Sequence, residues 1–478
     1  MTGNEFERIT PAQAGLDPRC IINMMDRMEK EKINITSFVL LRHGKILCEA
    51  YYKPYEKDQL RTVFSLSKTF TSMAIGIAAG EGKINLDEKI TDLFAEEIEK
   101  GQIPVGKELA SLTIRHLLRM STGQEHEPNR GESDWNDMAT AFLSTPFHEM
   151  PGEVFRYNSM ATYMLSASLK KKGIDLEEYL EEKLLTPMGI TGTRWLRDPR
   201  GICTAGFGFS LYPEVIAKLG QMILQGGMWN GKQLVPKTYI EMATSKQIEN
   251  GDDPASDWAQ GYGYQMWRCK NNAVRGDGMY GQFCMIHKQT DTVLAMTAVT
   301  GDMQGEMNVY YEEVLLHYQD QPLAEDEEAM KALNERLAAL HYTRPLPEDD
   351  GSKLPGKLKK LELPLADFFD LTLSCENDLI TLTDKAGEVR YLAGRGEWKK
   401  TCRKVHCTPL YTKKDQVDTP VTGAWGMKNG SLVIKVYEIE MLEEDTLTLT
   451  PEEDGVQVKL VNTTIPSRSN EYISTVIQ

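Results

Sequence analysis

The chain has 478 residues, 41% hydrophobic and 26% charged, which is the composition of a folded protein with a sizeable core. Lys and Arg number 54 against 70 Asp and Glu, and the formal net charge of −16 argues against nucleic acid or an anionic membrane as a partner. No apolar run approaches the roughly 18 residues of a membrane span. The start Met1-Thr2-Gly3-Asn4-Glu5-Phe6 lacks the basic and apolar parts of an export signal, so a cytoplasmic location with reduced thiols is expected for the eight cysteines.

In chain order, a lead-in loop and a helix over Pro18–Lys32 come first. Ser37–Leu41 and Ile46–Tyr52 then read as two strands joined through Arg42-His43-Gly44-Lys45, a hairpin. The next stretch, Val63 to Gly80, contains Ser-x-x-Lys. Ser65 and Lys68 are three residues apart and so share one face of a helix. Beyond Lys68 the segment is apolar on nearly every side through Phe70, Met73, Ile75 and Ile77, which predicts a helix buried all round, ending at Gly80. One rigid element therefore carries a serine and a lysine into the interior. Burial lowers an ammonium's pKa, which makes Lys68 a candidate base for the serine. The pattern recurs at Ser168-Leu169-Lys170-Lys171, where it runs into Gly173 and reads as a solvated helix end.

From 83 to 200 the periodicity is helical, over Leu86–Ile98, Thr113–Met120, Trp135–Leu143, Ala161–Lys171 and Leu176–Leu185. Pro213–Leu224 is one more amphipathic helix. Strand character returns at Gly261–Trp267, Gly281–His287 and Thr292–Val299, and Glu306–Tyr318 is helical. Strands near both ends of this region enclose a helical middle. The expected fold is α+β: one antiparallel sheet made from distant segments, helices on its faces, and a helical subdomain. These residues, 1–322, form the first expected domain. Residues 323–356 hold a helix, Glu325–Leu340, and a linker, Pro345–Gly356. Residues 357–478 alternate with period two, as in Leu379–Thr383 and Ser431–Tyr437. Asn429-Gly430 and Asp454-Gly455 are turn signals, so a β-rich accessory domain is expected, a barrel or sandwich. Cys402-Arg403-Lys404-Val405-His406-Cys407 offers three ligands where a structural zinc site takes four, so no metal is expected.

Two further stretches bear on chemistry. Pro151-Gly152-Glu153-Val154-Phe155-Arg156-Tyr157-Asn158-Ser159 is a Pro-Gly loop entering a helix, with a tyrosine at the entry. Beside an ammonium its phenol pKa is expected to fall, so that it can shuttle a proton; a core tyrosine would give the same text. Arg275-Gly276-Asp277-Gly278-Met279-Tyr280-Gly281 leads into a strand, where glycines mark either close approach by a ligand or a plain turn.

Together the three stretches resemble the serine β-lactamase and penicillin-binding-protein superfamily, in its class C-like branch of esterases, D-amino-acid peptidases and β-lactamases. Leu112–Gly123, Ala217-Lys218-Leu219-Gly220 and Gly261-Tyr262-Gly263-Tyr264 also look like that family's text, in the right order, over roughly residues 8–318. The resemblance implies a serine hydrolase working through an acyl-enzyme on a small ester or amide. Ser65 would be the nucleophile, Lys68 and Tyr157 would carry its proton, and the backbone N–H groups of Ser65 and Met279 would form the oxyanion hole. No metal or organic cofactor is implied. Asn158, Ser159, Arg275, Gly276, Asp277 and Gly278 are the substrate-binding candidates. Two of these positions depart from the family. Ser159 stands where the Tyr-x-Asn motif has its asparagine, with Asn158 one place earlier. Gly276 stands where the third motif has its cation, followed by Asp277. Those positions help the family bind a substrate's amide and carboxylate, so Asp277 is expected to disfavour acidic substrates unless Arg275 neutralises it. A weak β-lactamase and a non-catalytic binding or sensing protein are the alternatives. The substrate and the oligomeric state are not written in the sequence.

Overall fold

The computed structural model describes residues 4–128, 136–342, 345–365, 369–404, 418–462 and 472–476, in two compact units that divide between Tyr342 and Thr343. The first unit is built on a six-stranded antiparallel sheet. Its strands are β1 (Ile35–Arg42), β2 (Lys45–Tyr51), β3 (Trp267–Arg268), β4 (Val274–Gly278), β5 (Gln282–His287) and β6 (Thr292–Ala298), in the order β2-β1-β6-β5-β4-β3. All eight residues of β1 are buried because both faces of the sheet are covered. Val39 and Leu41 point to the side that carries α2 (Ser67–Gly80), α3 (Ser159–Lys171) and α4 (Pro213–Leu224). Phe38 and Leu40 point to the side that carries α1 (Pro18–Lys30), α5 (Met303–Glu313) and α6 (Glu327–Ala338). The period-two alternation of one strand thus feeds two separate cores.

The helix α2 is buried along almost its whole length and ends at Gly80, as its composition predicts. Two of its buried hydroxyls reach out to neighbouring segments: Thr71 donates to the Ala205 carbonyl and Ser72 to the Tyr264 carbonyl. Gly220 in α4 is required by packing, since a Cβ there would lie 2.5 Å from Val293 Cγ1 on β6.

The helical middle is more broken than its periodicity suggests. In place of one helix over Leu86–Ile98 there are two short ones, Ile90–Leu93 and Ala95–Lys100. Of the expected strand Gly261–Trp267, only Trp267 lies in a strand, at the start of β3. Gly261 and Gln265 have φ of 104° and 59°, which breaks the extension, and the segment is used instead as a clasp. The Gln265 carbonyl accepts from Thr69 of α2, its side-chain Oε1 accepts from Thr162 of α3, and its amide donates to the carbonyls of Leu117 and Leu118.

The helix expected in the stretch between domains, α6, belongs to the core of the first unit. Leu333 is buried there, and Arg336 pairs with Asp26 and Glu29 of α1 at 2.8 and 2.6 Å. The Pro- and Asp-rich linker is likewise not free. Asp349 pairs with Arg395 at 2.9 Å and accepts from the Met427 N–H, and Asp350 accepts from Asn429, so this stretch is laid onto the second unit. That unit is a ten-stranded sheet with its own buried cluster, including Leu373, Ile380, Trp425 and Ile434. Its end strands, Lys360–Leu365 and Tyr472–Val476, lie in contact. Asn429 and Gly430 take φ of 50° and 78°, the left-handed pair a tight hairpin requires. The other turn falls on Glu453-Asp454, because Glu452 pairs with Gly455. Val405, His406 and Cys407 of the possible metal box lie outside the described residues. Among the described residues no cluster suited to a metal is found, and no helix is long and apolar enough to cross a membrane.

One buried acid in α5 carries a prediction. Glu306 is 1% exposed, neither of its carboxyl oxygens has a hydrogen-bond partner, and burial pushes its pKa well above the ordinary 4.5. The carboxyl packs under Gly281, where a Cβ would lie 2.0 Å from Oε2. A carboxyl group whose folded pKa is raised stabilises the fold fully below its unfolded pKa and loses that contribution as pH rises through the folded value. Unfolding free energy should therefore fall with pH in the wild type above the ordinary carboxylate pKa, and fall less in Glu306→Gln. Parallel denaturant titrations at several pH values check this, and identical pH slopes would refute it.

Candidate active site

A single 3-10 turn, Phe64–Leu66, runs into α2 and presents Ser65 at the mouth of the buried helix. The turn is locked from inside. Ser67 donates to the Phe64 carbonyl at 2.6 Å and accepts from the Phe209 N–H at 3.2 Å, and Phe64 takes the left-handed φ of 45°. One turn further on, Lys68 is 2% exposed. Its Nζ donates to Ser65 Oγ at 3.1 Å, Ser159 Oγ at 3.1 Å and the Gly206 carbonyl at 2.7 Å, which accounts for all three donors of an ammonium. Burial lowers its pKa to about 7, against a smaller upward pull from the carboxylates of Glu127 and Asp277. Burial thus favours the neutral amine, in hydrogen-bond reach of the serine.

Tyr157 lies over Lys68, with Nζ 4.8 Å from its ring centroid, and its hydroxyl is close enough to Ser65 to feel it electrostatically. The expected fall of the phenol pKa does not occur. Burial and the nearby Asp277 push it up, and Ser65 offsets this only in part. The residue as a whole is 37% exposed; it is the hydroxyl end that is crowded. Tyr157 therefore stays a phenol near neutral pH, and of the two groups Lys68 is the one whose proton burial loosens.

Asn158, expected at the substrate, is 2% exposed and hydrogen-bonded within the fold. It caps α3, with Oδ1 accepting from the Ala161 N–H at 3.1 Å, and its amide donates to Gln124 at 3.2 Å, so the whole group is turned inward. Ser159, at the motif's own position, faces Lys68 instead. Its N–H donates to Glu127 Oε2 at 2.6 Å. Glu127 and the Gly206 carbonyl were not foreseen. Gly206 sits in the glycine-bearing run Ala205-Gly206-Phe207-Gly208, a weak signal of close backbone approach, whereas nothing local distinguishes Glu127 from its neighbours Glu125 and His126.

The third stretch forms β4, and the structure corrects most of its expected roles. Arg275 is fully buried. It holds Asp277 Oδ2 through Nε at 3.0 Å and Nη2 at 2.9 Å, and its Nη1 donates to the Asp257 carbonyl at 2.7 Å. Arg275 therefore faces no substrate, and it neutralises Asp277. The glycines are small for the helix rather than for a ligand. A Cβ on Gly276 would lie 2.4 Å from Thr69 Oγ1, and one on Gly278 would lie 2.1 Å from the Val63 carbonyl. That close approach sets the end of β4 against the Ser65 turn. The Phe64 and Tyr280 rings meet edge-on at 5.5 Å, joining the Ser65 turn to the turn Met279-Tyr280-Gly281, on which Met279 is exposed.

The Beta-lactamase family model matches residues 23–317, more than half of the chain, and the chain belongs to that family. It is a serine hydrolase of the β-lactamase-like fold, sharing that fold with penicillin-binding-protein homologues. It is 24% identical over 311 residues to the 6-aminohexanoate-dimer hydrolase of Paenarthrobacter ureafaciens, covering 60% of this chain and 78% of that protein. A Bacillus anthracis protein provisionally assigned as a 6-aminohexanoate-dimer hydrolase superposes with a TM-score of 0.54 at 19% identity, over 67% of this chain and 89% of that one. The octameric penicillin-binding protein homologue of Pyrococcus abyssi superposes with a TM-score of 0.50 at 15% identity, over 92% of this chain and 97% of that one. At these identities the structural likeness is one of fold.

Proposed function

We propose that the chain hydrolyses a small ester or amide through an acyl-enzyme on Ser65. Neutral Lys68 takes the Ser65 proton as Oγ attacks the carbonyl carbon, and the carbonyl electrons move onto oxygen. The backbone N–H groups of Ser65 and Met279 stabilise that oxyanion. The tetrahedral centre collapses as the leaving group departs with a proton relayed by Tyr157 from Lys68, leaving the serine ester. Water then attacks the ester with the same groups working in reverse. The observation that carries this reading is the lysine: buried, bonded to Ser65 Oγ at 3.1 Å, and with its pKa lowered to about 7.

The substrate class follows from charge. Gly276 has no room for the family's cation and Asp277 is spent on Arg275, so β4 offers no free positive charge to a substrate carboxylate. Glu127 adds a carboxylate beside Ser159 and Lys68. Substrates neutral or ammonium-bearing on that side fit best. Matched esters ending in a neutral amide, an amine or a carboxylate test this. The expected order of kcat/KM places the carboxylate last, with penicillins no better. A carboxylate substrate ranked first would refute the class. Failure of a fluorophosphonate to add mass at Ser65 would favour the non-catalytic alternative.

A further inference from the structure

We propose that Trp267 and the buried Arg275–Asp277 pair are positioning residues that hold the ring of Tyr157 over Ser65 and Lys68, and that this is the work of the altered third motif in this chain. The inference rests on the reading of Tyr157 as a proton relay.

The chain of contacts is continuous. The Trp267 indole lies nearly parallel to the Tyr157 ring, with centroids 5.6 Å apart and planes 20° from one another. Stacking alone leaves two rings free to slide, because the interaction is broad and offset geometries are close in energy. The indole is not free to slide. Its Nε1–H donates to Asp277 Oδ1 at 3.1 Å, and Phe155 and Tyr262 close on it at 5.6 and 4.9 Å in edge-on geometry. Asp277 is itself fixed by Arg275 through its other oxygen. Arg275 sits directly across the ladder from Trp267, with its guanidinium 5.4 Å from that ring and 4.6 Å from the Trp258 ring.

A buried ion pair of this kind contributes little net stability, because desolvation of both charges offsets their attraction. Its value lies in direction: the carboxylate can accept the indole N–H from one place only. The catalytic geometry depends on that direction. Tyr157 has its ring face 4.8 Å from Lys68 Nζ, and that Nζ is 3.1 Å from Ser65 Oγ, so a displaced ring disturbs the group that holds the serine. In the resembled family the third motif presents a cation from the position of Gly276. Here that face of β4 is pressed against Leu66 and Thr69, and the cation lies one residue earlier, behind the indole.

Trp267→Phe keeps an aromatic ring against Tyr157 and removes the tethering N–H together with one ring of the indole. The expected result is a fall in kcat of roughly tenfold, the size of one lost hydrogen bond to a charged group, with KM nearly unchanged. In a Tyr157→Phe background the same substitution should add little further loss, since its effect runs through the phenol. Asp277→Asn should behave similarly in kcat, but it leaves Arg275 uncompensated and lowers thermal stability, so Trp267→Phe is the deciding variant. If Trp267→Phe costs as much in the Tyr157→Phe background as in the wild type, or changes KM alone, the positioning inference is overturned while the relay stands. If Tyr157→Phe itself retains full turnover, the relay reading fails and the inference falls with it.

Discussion

Ser65→Ala is expected to lower ester turnover by ~10³-fold or more and to abolish covalent labelling by a fluorophosphonate. Among the described residues, no other hydroxyl beside Lys68 is placed to take over. Ser159 Oγ also touches Lys68, but it sits at the start of α3 rather than on the turn set against Met279. Ser67 Oγ is spent on the Phe64 carbonyl and the Phe209 N–H. Ser168, the serine of the second Ser-x-x-Lys, makes the control. It is buried rather than solvated, its Oγ donates to the Met164 carbonyl inside α3, and Lys171 pairs with Glu97 at 2.8 Å instead of turning to the serine. Ser168→Ala should leave turnover unchanged. Equal activity of wild type and Ser65→Ala on a hydrolysed ester would sink the assignment. Labelling that persists in Ser65→Ala, located by peptide mass, would name the true nucleophile.

Lys68→Met should lose most activity, by roughly 10²-fold or more as expected for removal of a general base, and yet be the more stable protein at acidic pH. Both effects come from one pKa. With the folded value lowered to about 7, kcat/KM should rise with pH through that value as the amine becomes neutral. The stability effect has the matching sign. The folded lysine releases its proton at about 7 while the unfolded one holds it to 10.5, so between these values the unfolded state binds more protons. Wild-type stability therefore falls as pH drops through that window, and the full cost of the buried ammonium is present below it. Methionine carries no such cost. Denaturant unfolding of both proteins on either side of neutrality, beside their pH–rate profiles, gives the test. A kcat/KM independent of pH around neutrality, or a variant that gains nothing at acidic pH, would show that Lys68 is not held neutral. Tyr157→Phe combined with Lys68→Met should not add its full loss, because both act on the same proton.

The glycines of the third stretch show how far local text reaches. Glycine at 276 and 278 signals that something approaches the backbone closely, and this is so; the sequence does not say that the visitor is the Ser65 turn rather than a ligand. Asn158 and Ser159 show the same limit. Either could serve the motif's amide-binding role by composition. The start of α3 separates their placement, because the N-cap position takes the asparagine's oxygen and turns its amide toward Gln124, while Ser159 Oγ faces Lys68. The tyrosine's raised phenol pKa reverses an expectation drawn from one neighbour, because burial and Asp277 outweigh that neighbour. The mostly unformed strand at Gly261–Trp267 and the docked linker have a similar origin, since each follows partners supplied by distant segments.

What the sequence determined by itself is what depends on short range: the buried helix with its serine and lysine one turn apart, the hairpin, the alternation that splits β1 between two cores, and the order of motifs that marks the family. Three-residue spacing on a helix holds whatever lies outside it. Only the tertiary structure decided the chemistry of the site. Ser159 lies 91 residues and Gly206 138 residues from Lys68, and Arg275 reaches Asp277 in a strand flanked by β3 and β5. Protonation states and the direction of a charge depend on burial and on such neighbours, which are summed over space and not along the chain.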